Sequence, residues 1–329
     1  MGVGWVLRLS FRIGIVAAMT TTLAGSRYPQ TAPLVAPNWE VATVGPFTFT
    51  LSPYSVRPVA ADELPMDSTG VVPPYGLRDP SGYALYRAAN GQLYDHPVAQ
   101  AQYMVNMLSN YRLTSDRQYL DAAMVNGERL LSRATKVRGA IFFPYPFDYP
   151  LQAEGVLRAP WYSGMAQGVA LAGFVRLFEQ TGDATWKAAA DATFASFLMP
   201  RSGDGPWVTT VDDQLLWFEE YPWSPSDHTF NGHVFALFGL YDYWRLTRDP
   251  IAERLIRGGL ATAEVAGWLV RVPGGVSRYC ISDSCMERYV NNTFYHRVHI
   301  GQFETLYRLT GHQAFAQLAQ ALAADVPAP

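Results

Sequence analysis

Residues Tyr111–Ala123 read YRLTSDRQYLDAA. The stretch breaks one helical run and starts another, and it recurs. Phe178–Asp191 reads FEQTGDATWKAAAD, Trp244–Leu255 reads WRLTRDPIAERL and Tyr307–Ala319 reads YRLTGHQAFAQLA. Each break carries a threonine (Thr114, Thr181, Thr247, Thr310), and these lie about 65 residues apart. Asp116, Asp183 and Asp249 follow the threonine by two; His312 takes that place in the last copy. Gly182 and Gly311 suit a left-handed residue closing a helix, and the Thr/Asp residues suit the cap of the next one. A tandem repeat of this period predicts four helical hairpins, at about 97–133, 162–198, 228–270 and 296–325. Such hairpins stack as an open solenoid or curl into an α/α toroid. Solenoid links are short. Here they are long and aromatic: GAIFFPYPFDYPLQAEGVLRAPWY, RSGDGPWVTTVDDQLLWFEEYPWSPSD and VPGGVSRYCISDSCMERYVNNTFY. Long ordered loops that converge on one rim usually carry function. The expected fold is mainly α: an incomplete α/α toroid of four hairpins behind a small β/loop lobe.

Bulk properties narrow the partners. The 329 residues allow one large domain, and 49% hydrophobic against 16% charged residues supports a sizeable core. A net charge of -3 gives no basic field for nucleic acid, so any polyanion must be held by a local cluster. The 19 Tyr and 9 Trp suit a sugar-binding surface as well as a helical core. At the N-terminus Arg8 and Arg12 precede an apolar run from Ile13 to about Gly25, the layout of a secretory signal or an anchor over 1–27. Export is expected: secreted, periplasmic or membrane-anchored with the catalytic part outside the cytoplasm. Residues 28–95 are rich in turn chemistry, and GPFTFTLSPYSV (45–56) alternates like a strand, giving the small lobe; 96–329 form the toroid. Cys280 and Cys285 are spaced to permit a local disulfide. A homodimer is left open.

Each link ends in polar aromatic material at a helix start. The first supplies Trp161, Tyr162, Ser163, Gly164 and the helical Gln167 and Gly168, small enough for a ligand to approach backbone N–H groups. The second supplies Glu219 and Glu220, which point to opposite sides if the chain is extended. One then faces the cleft while the other forms a structural salt bridge. A carboxylate among Trp217, Tyr221 and Trp223 is desolvated, which raises its pKa toward that of a general base. Asp227 reads as a helix cap, and Asn231, one turn inside, reaches the cleft. The third supplies Tyr279, Tyr295, His296, Arg297, His299 and Gln302. No third ligand accompanies the two histidines at a metal spacing, so no metal is expected. Arg278, Arg288 and Arg297 would stabilise a phenolate or pair with a sugar acid.

At WYSGMAQG, EEYP…NG and YHRVHIGQ, over roughly Tyr94 to Thr310, the chain resembles the D-glucuronyl C5-epimerases, which turn D-glucuronate into L-iduronate in heparosan. The resemblance implies an α/α toroid with a substrate cleft at its mouth. It places the family's acid on Glu220 and three functional tyrosines on Tyr221, Tyr279 and Tyr295, the last followed by His296. It puts substrate contacts on Tyr162, Ser163, Gly164, Met165, Ala166, Gln167, Asn231, His296, Arg297 and His299. There are departures. Vertebrate members carry YDLRH where this chain has YCISD, so an expected Arg is Ser282. An Arg-Trp-Asp run is replaced by Asn292, Thr293 and Phe294, and the N-terminal lobe is shorter.

The expected reaction removes the proton α to the uronate carboxylate and returns it on the other face, with no cofactor. Glu220 is expected on one face and Tyr295 on the other, with Tyr221 and Tyr279 donating hydrogen bonds and Arg297, His296 and His299 offsetting charge. The expected partner is an anionic polysaccharide. Rival readings are a polysaccharide lyase making the same carbanion, a glycoside hydrolase using Glu219 or Glu220 with Asp148, and a non-catalytic glycan-binding protein.

Overall fold

The Thr-x-Asp breaks fold into one repeated turn. A computed structural model describes residues 39–88, 91–151, 155–203, 205–282, 285 and 292–326. The candidate signal or anchor, 1–27, and Arg288 lie outside these residues. The turns join α1 (Pro97–Thr114) to α2 (Arg117–Arg133), α3 (Gly164–Thr181) to α4 (Ala184–Ser196), α5 (Phe230–Thr247) to α6 (Pro250–Val270) and α7 (Thr293–Thr310) to α8 (Gln313–Asp325). In every copy the threonine hydroxyl donates to the carbonyl four residues back and accepts the N–H two residues on, as at Thr181, with Leu177 O at 2.7 Å and Asp183 N at 3.2 Å. The intervening residue is left-handed: Ser115, Gly182, Arg248 and Gly311 have φ of 59°, 69°, 55° and 72°. Asp116, Asp183, Asp249 and His312 then cap the second helix. The four hairpins match the expected bounds to within a few residues.

The first helix of each hairpin is an inner one. All residues of α3 from Gly164 to Leu177 are buried, as for a helix with neighbours on every side. The outer α2 buries Leu120, Ala123, Asn126, Gly127 and Leu130, a single stripe. Helices α3 and α5 meet backbone to backbone. A Cβ on Gly239 would fall 1.9 Å from Gly168 O, and one on Gly168 would fall 2.4 Å from Ala236 Cα.

The segment before α1 does not hold a core of its own. Strands β1 (Glu40–Val44) and β2 (Phe47–Leu51) pair antiparallel, and Phe49 and Leu51 join the same buried cluster as the helices. Beyond them the chain crosses the C-terminal turns of the inner helices in reverse order. Arg57 N donates to Leu309 O (2.9 Å) on α7, and Tyr241 OH on α5 donates to Arg57 O (2.9 Å). Arg176 Nη2 on α3 donates to Pro65 O, and Asn110 on α1 exchanges two bonds with Val72 (2.8 and 2.7 Å). This strap floors the ring. The helix N-termini, capped by His96, Ser163 and Asn292 and begun after Thr229, open at the opposite end. Short hairpins occupy the links: β6 (Thr135–Val137) with β7 (Ala140–Phe142), β8 (Tyr149–Pro150) with β9 (Val156–Leu157), and β10 (Thr209–Asp212) with β11 (Leu215–Phe218). Two more short strand pairs precede α1, linking β3 (Leu77–Arg78), β4 (Ala84–Arg87) and β5 (Leu93–Asp95).

Candidate active site

Strand β11 delivers the adjacent carboxylates. Glu219 N donates to Val208 O (2.8 Å), and Gly164 N donates to Glu219 O (2.7 Å), so the chain is clamped between the β-hairpin and the start of α3. A Cβ on Gly164 would lie 2.8 Å from Glu219 O, which is why a glycine begins that helix. The two side chains diverge, as extended backbone requires. Glu219, 1% exposed, pairs with His228 Nδ1 at 2.7 Å, and His228 Nε2 reaches Asp212 at 3.0 Å. Burial alone would lower the His228 pKa; Glu219 and Asp212 outweigh it and raise it to about 9. Glu219 is therefore held in a salt bridge.

Glu220 turns the other way, toward the mouth, and keeps 9% exposure. Its Oε1 accepts from Tyr279 OH at 3.1 Å, and Tyr279 OH lies 3.3 Å from Tyr221 OH. Its Oε2 has no hydrogen-bond partner among the described residues, and Glu220 takes part in no ion pair among them. The carboxyl rests on the first turn of α5, where a Cβ on Gly232 would lie 2.4 Å from Oε2. Burial pushes the Glu220 carboxyl up to about 7; nearby Tyr221, Tyr279 and Asn231 side chains oppose the rise, and the charge of Asp227 adds to it. That value suits a base at neutral pH.

The three links converge here. Tyr145 and Trp161 from the first, Tyr221 from the second, and Tyr279, Cys280 and Cys285 from the third share one buried cluster, with Tyr295 packed against it. Tyr145 stacks on Trp161 at 3.8 Å, and Tyr149 on Tyr221 at 5.2 Å. Burial and the nearby Glu220 raise the Tyr145 hydroxyl's pKa, with Val98 backbone and Ser163 opposing. Sequence reasoning missed Tyr145. It sits in an aromatic link beside Phe147 and Tyr149, and only the nearness of the Glu220 charge sets it apart. Cys280 and Cys285 form a disulfide that closes the loop after Tyr279. Phe230 N donates to Tyr279 O (3.1 Å), tying that loop to α5.

Several expected roles change. Tyr279 stands between Glu220 and Tyr295: its hydroxyl meets the carboxyl and its ring meets the Tyr295 ring edge-on at 4.4 Å. Tyr295 thus reaches Glu220 through Tyr279, because α7 starts one ring's width behind that loop. Tyr162 points away from the mouth, its hydroxyl to Thr135 Oγ1 (3.2 Å) and its ring against Phe142. Ser163 caps α3, accepting from Ala166 N. Met165 and Ala166 are buried. Gln167 is fully spent on structure, accepting from Phe143 N (3.0 Å) and donating to Ile141 O and Ser196 Oγ (2.8 Å each). Asn231 is buried beside Glu220, and its Oδ1 lacks a partner among the described residues. His296 accepts from Ser277 N (2.9 Å) and donates to Leu322 O (3.0 Å), so its ring fastens α7 to α8. His299 is buried, which lowers its pKa to about 3; being neutral, it offsets no anionic charge. Arg297 is exposed. Asp227 is no helix cap: Thr229 holds that position. Asp227 O instead accepts from Ile281 N and Ser282 N (3.3 Å each), and Ser282 Oγ donates to Asp227 Oδ1 (3.2 Å), so Ser282 pins the third link to the second. Asp148, the second carboxylate of the hydrolase reading, lies at the surface. Ala159 N–H and Arg158 hold its pKa below the usual range, the opposite of what an acid catalyst needs. Among the described residues no helix is long and apolar enough to cross a membrane.

Residues 138–323 match the family described as D-glucuronyl C5-epimerase C-terminus. A D-glucuronyl C5-epimerase from Caenorhabditis elegans is 33% identical over 91 residues, 28% of this chain and 14% of that protein. The match thus spans a small part of the relative's length. Among solved structures, the fold is similar to that of cellobiose 2-epimerase from Spirochaeta thermophila, with a TM-score of 0.51 and 15% identity over 70% of this chain and 57% of that one. Cellobiose 2-epimerase from Bacillus thermoamylovorans aligns with a TM-score of 0.48 and 12% identity, over 70% of this chain and 59% of that one.

Proposed function

Because the chain belongs to the D-glucuronyl C5-epimerase family, we propose that it inverts C5 of glucuronate residues in a heparosan-like polysaccharide outside the cytoplasm. The C–H bond at C5 breaks, its electron pair moves into the carboxylate as an enediolate, and a proton returns to C5 from the opposite face. No hydride moves and no redox partner is needed.

The observation that carries this reading is Glu220: buried, free of any cation among the described residues, and raised to about 7 beneath phenols. When ionised it accepts the C5 proton. Tyr279 and Tyr221 donate to the substrate carboxylate, where charge grows as the proton leaves. To admit the sugar, the Tyr279 hydroxyl passes its bond from Glu220 to that carboxylate; side-chain rearrangement of this kind is common on binding. Tyr295 serves as proton donor on the far face once the Tyr279 ring, which packs against it at 4.4 Å, has also swung aside to make room for the sugar. The positive ends of the inner helices at the mouth favour an anionic substrate despite the net negative charge. The Cys280–Cys285 disulfide suits an oxidising compartment.

NMR of N-acetylheparosan and de-N-acetylated heparosan incubated with the protein in deuterated water tests the reading. Deuterium at C5, with iduronate signals and no chain scission, is expected. Unsaturated uronate absorbance would make the protein a lyase, and an unlabelled polymer would overturn the proposed activity.

A further inference from the structure

Beyond Tyr221 the chain runs Pro222, Trp223, Ser224, and these residues face Arg201 and Trp207 across a cavity of about 240 Å³. Trp207 is buried, and the Arg201 guanidinium lies 5.4 Å from its ring centroid. Arg201 is exposed and has no hydrogen bond or ion pair among the described residues. Trp223 is backed by Gly155, where a Cβ would lie 3.2 Å from the indole. An arginine over an aromatic face, with no donor spent among the described residues, matches a planar anion. The neighbouring tryptophans offer faces for the apolar side of a sugar. The cavity is smaller than the roughly 300–1,000 Å³ of drug-sized sites, so it takes one ring. Trp223 lies three residues past Glu220, at most about 11 Å of extended chain, so the groove adjoins the reacting position.

We propose that Arg201, Trp207 and Trp223 form a subsite for a neighbouring ring of the same anionic glycan, with Arg201 pairing with that ring's carboxylate or N-sulfate. The inference rests on the epimerase reading for the identity of the glycan. It supplies the local cation that a chain of net charge -3 needs to grip a polyanion.

Size-defined octasaccharides of N-acetylheparosan and their N-sulfated counterparts test it, titrated against wild type and Arg201→Gln with tryptophan fluorescence as the signal. Arg201→Gln is expected to weaken binding about tenfold. An equal loss on both glycans assigns the contact to a uronate carboxylate; a loss confined to the N-sulfated one assigns it to the sulfate. Equal affinity of variant and wild type for both, or no binding by wild type, overturns the subsite. The same samples in deuterated water separate the two ideas. C5 exchange with an Arg201→Gln affinity like wild type removes the subsite and keeps the epimerase; Arg201-dependent binding without exchange does the reverse.

Discussion

The two ends of the ring treat buried charge in opposite ways. At the floor, two carboxylates shut away from water each have a cation: Asp242 holds Arg176 at 2.8 Å and Asp67 holds Arg112 at 2.9 Å. At the mouth, Glu220 has phenols and no cation among the described residues. The neighbouring Glu219 shows that this is not a lack of means, since one residue earlier the chain finds His228 and Asp212. An unpaired buried carboxylate is costly. Asp67–Arg112 ties the strap to α1, and Asp242–Arg176 joins α5 to α3. The mouth charge is left destabilised, and destabilisation is what turns a carboxylate into a base at neutral pH.

Replacing the base should have the largest effect on that contrast. Glu220→Gln is expected to lower the C5 exchange rate by roughly 10²- to 10⁴-fold. It should also stabilise the protein at about pH 8. In the fold Glu220 keeps its proton to about 7, while in the unfolded chain it loses it near 4.5. The folded state thus binds more protons in that window, and stability falls as pH rises through it. Above it the cost approaches about 3 kcal/mol, which the amide removes. Chemical denaturation at two pH values measures this; a variant less stable than wild type at about pH 8 would mean that Glu220 is not strained.

The floor should respond in the reverse sense. Arg176→Met leaves Asp242 without its closest cation in a fully buried position and is expected to cost about 3–5 kcal/mol. The folded fraction should exchange C5 at the wild-type rate, so unfolding curves move and turnover per folded molecule does not. Smaller again is Gly232→Ala. The new methyl would meet Oε2 at 2.4 Å and the Glu220 Cβ at 2.5 Å, so the carboxyl must move. A misplacement of that order is expected to cost about 10²-fold in turnover, and the overpacking about 1–3 kcal/mol of stability. The smallest effect is Tyr162→Phe, which removes a hydroxyl bonded to Thr135 and should leave KM within about twofold of wild type.

Local chemistry is legible in the sequence. Thr181, Gly182 and Asp183 specify their turn within three residues, so the hairpins and their bounds followed directly. The split between Glu219 and Glu220 followed from the alternation of an extended chain. What could not be read depends on which loop meets which. Tyr145 belongs to the site because the first link crosses the second, and Tyr162 leaves it because its ring finds Phe142. His299 looks like a cation in sequence and is neutral because the helices around it exclude water. Tyr279 rather than Tyr295 bonds to Glu220 because a disulfide loop places it there.

If an ionised Glu220 takes the C5 proton, the pH profile of kcat/KM for C5 deuterium wash-in must carry its titration. The rate should rise tenfold per pH unit below an apparent pKa of about 7 and level above it, and the dependence should vanish in Glu220→Gln. A profile that is flat from about pH 5 to 9, or one that persists in Glu220→Gln, would contradict that role of Glu220.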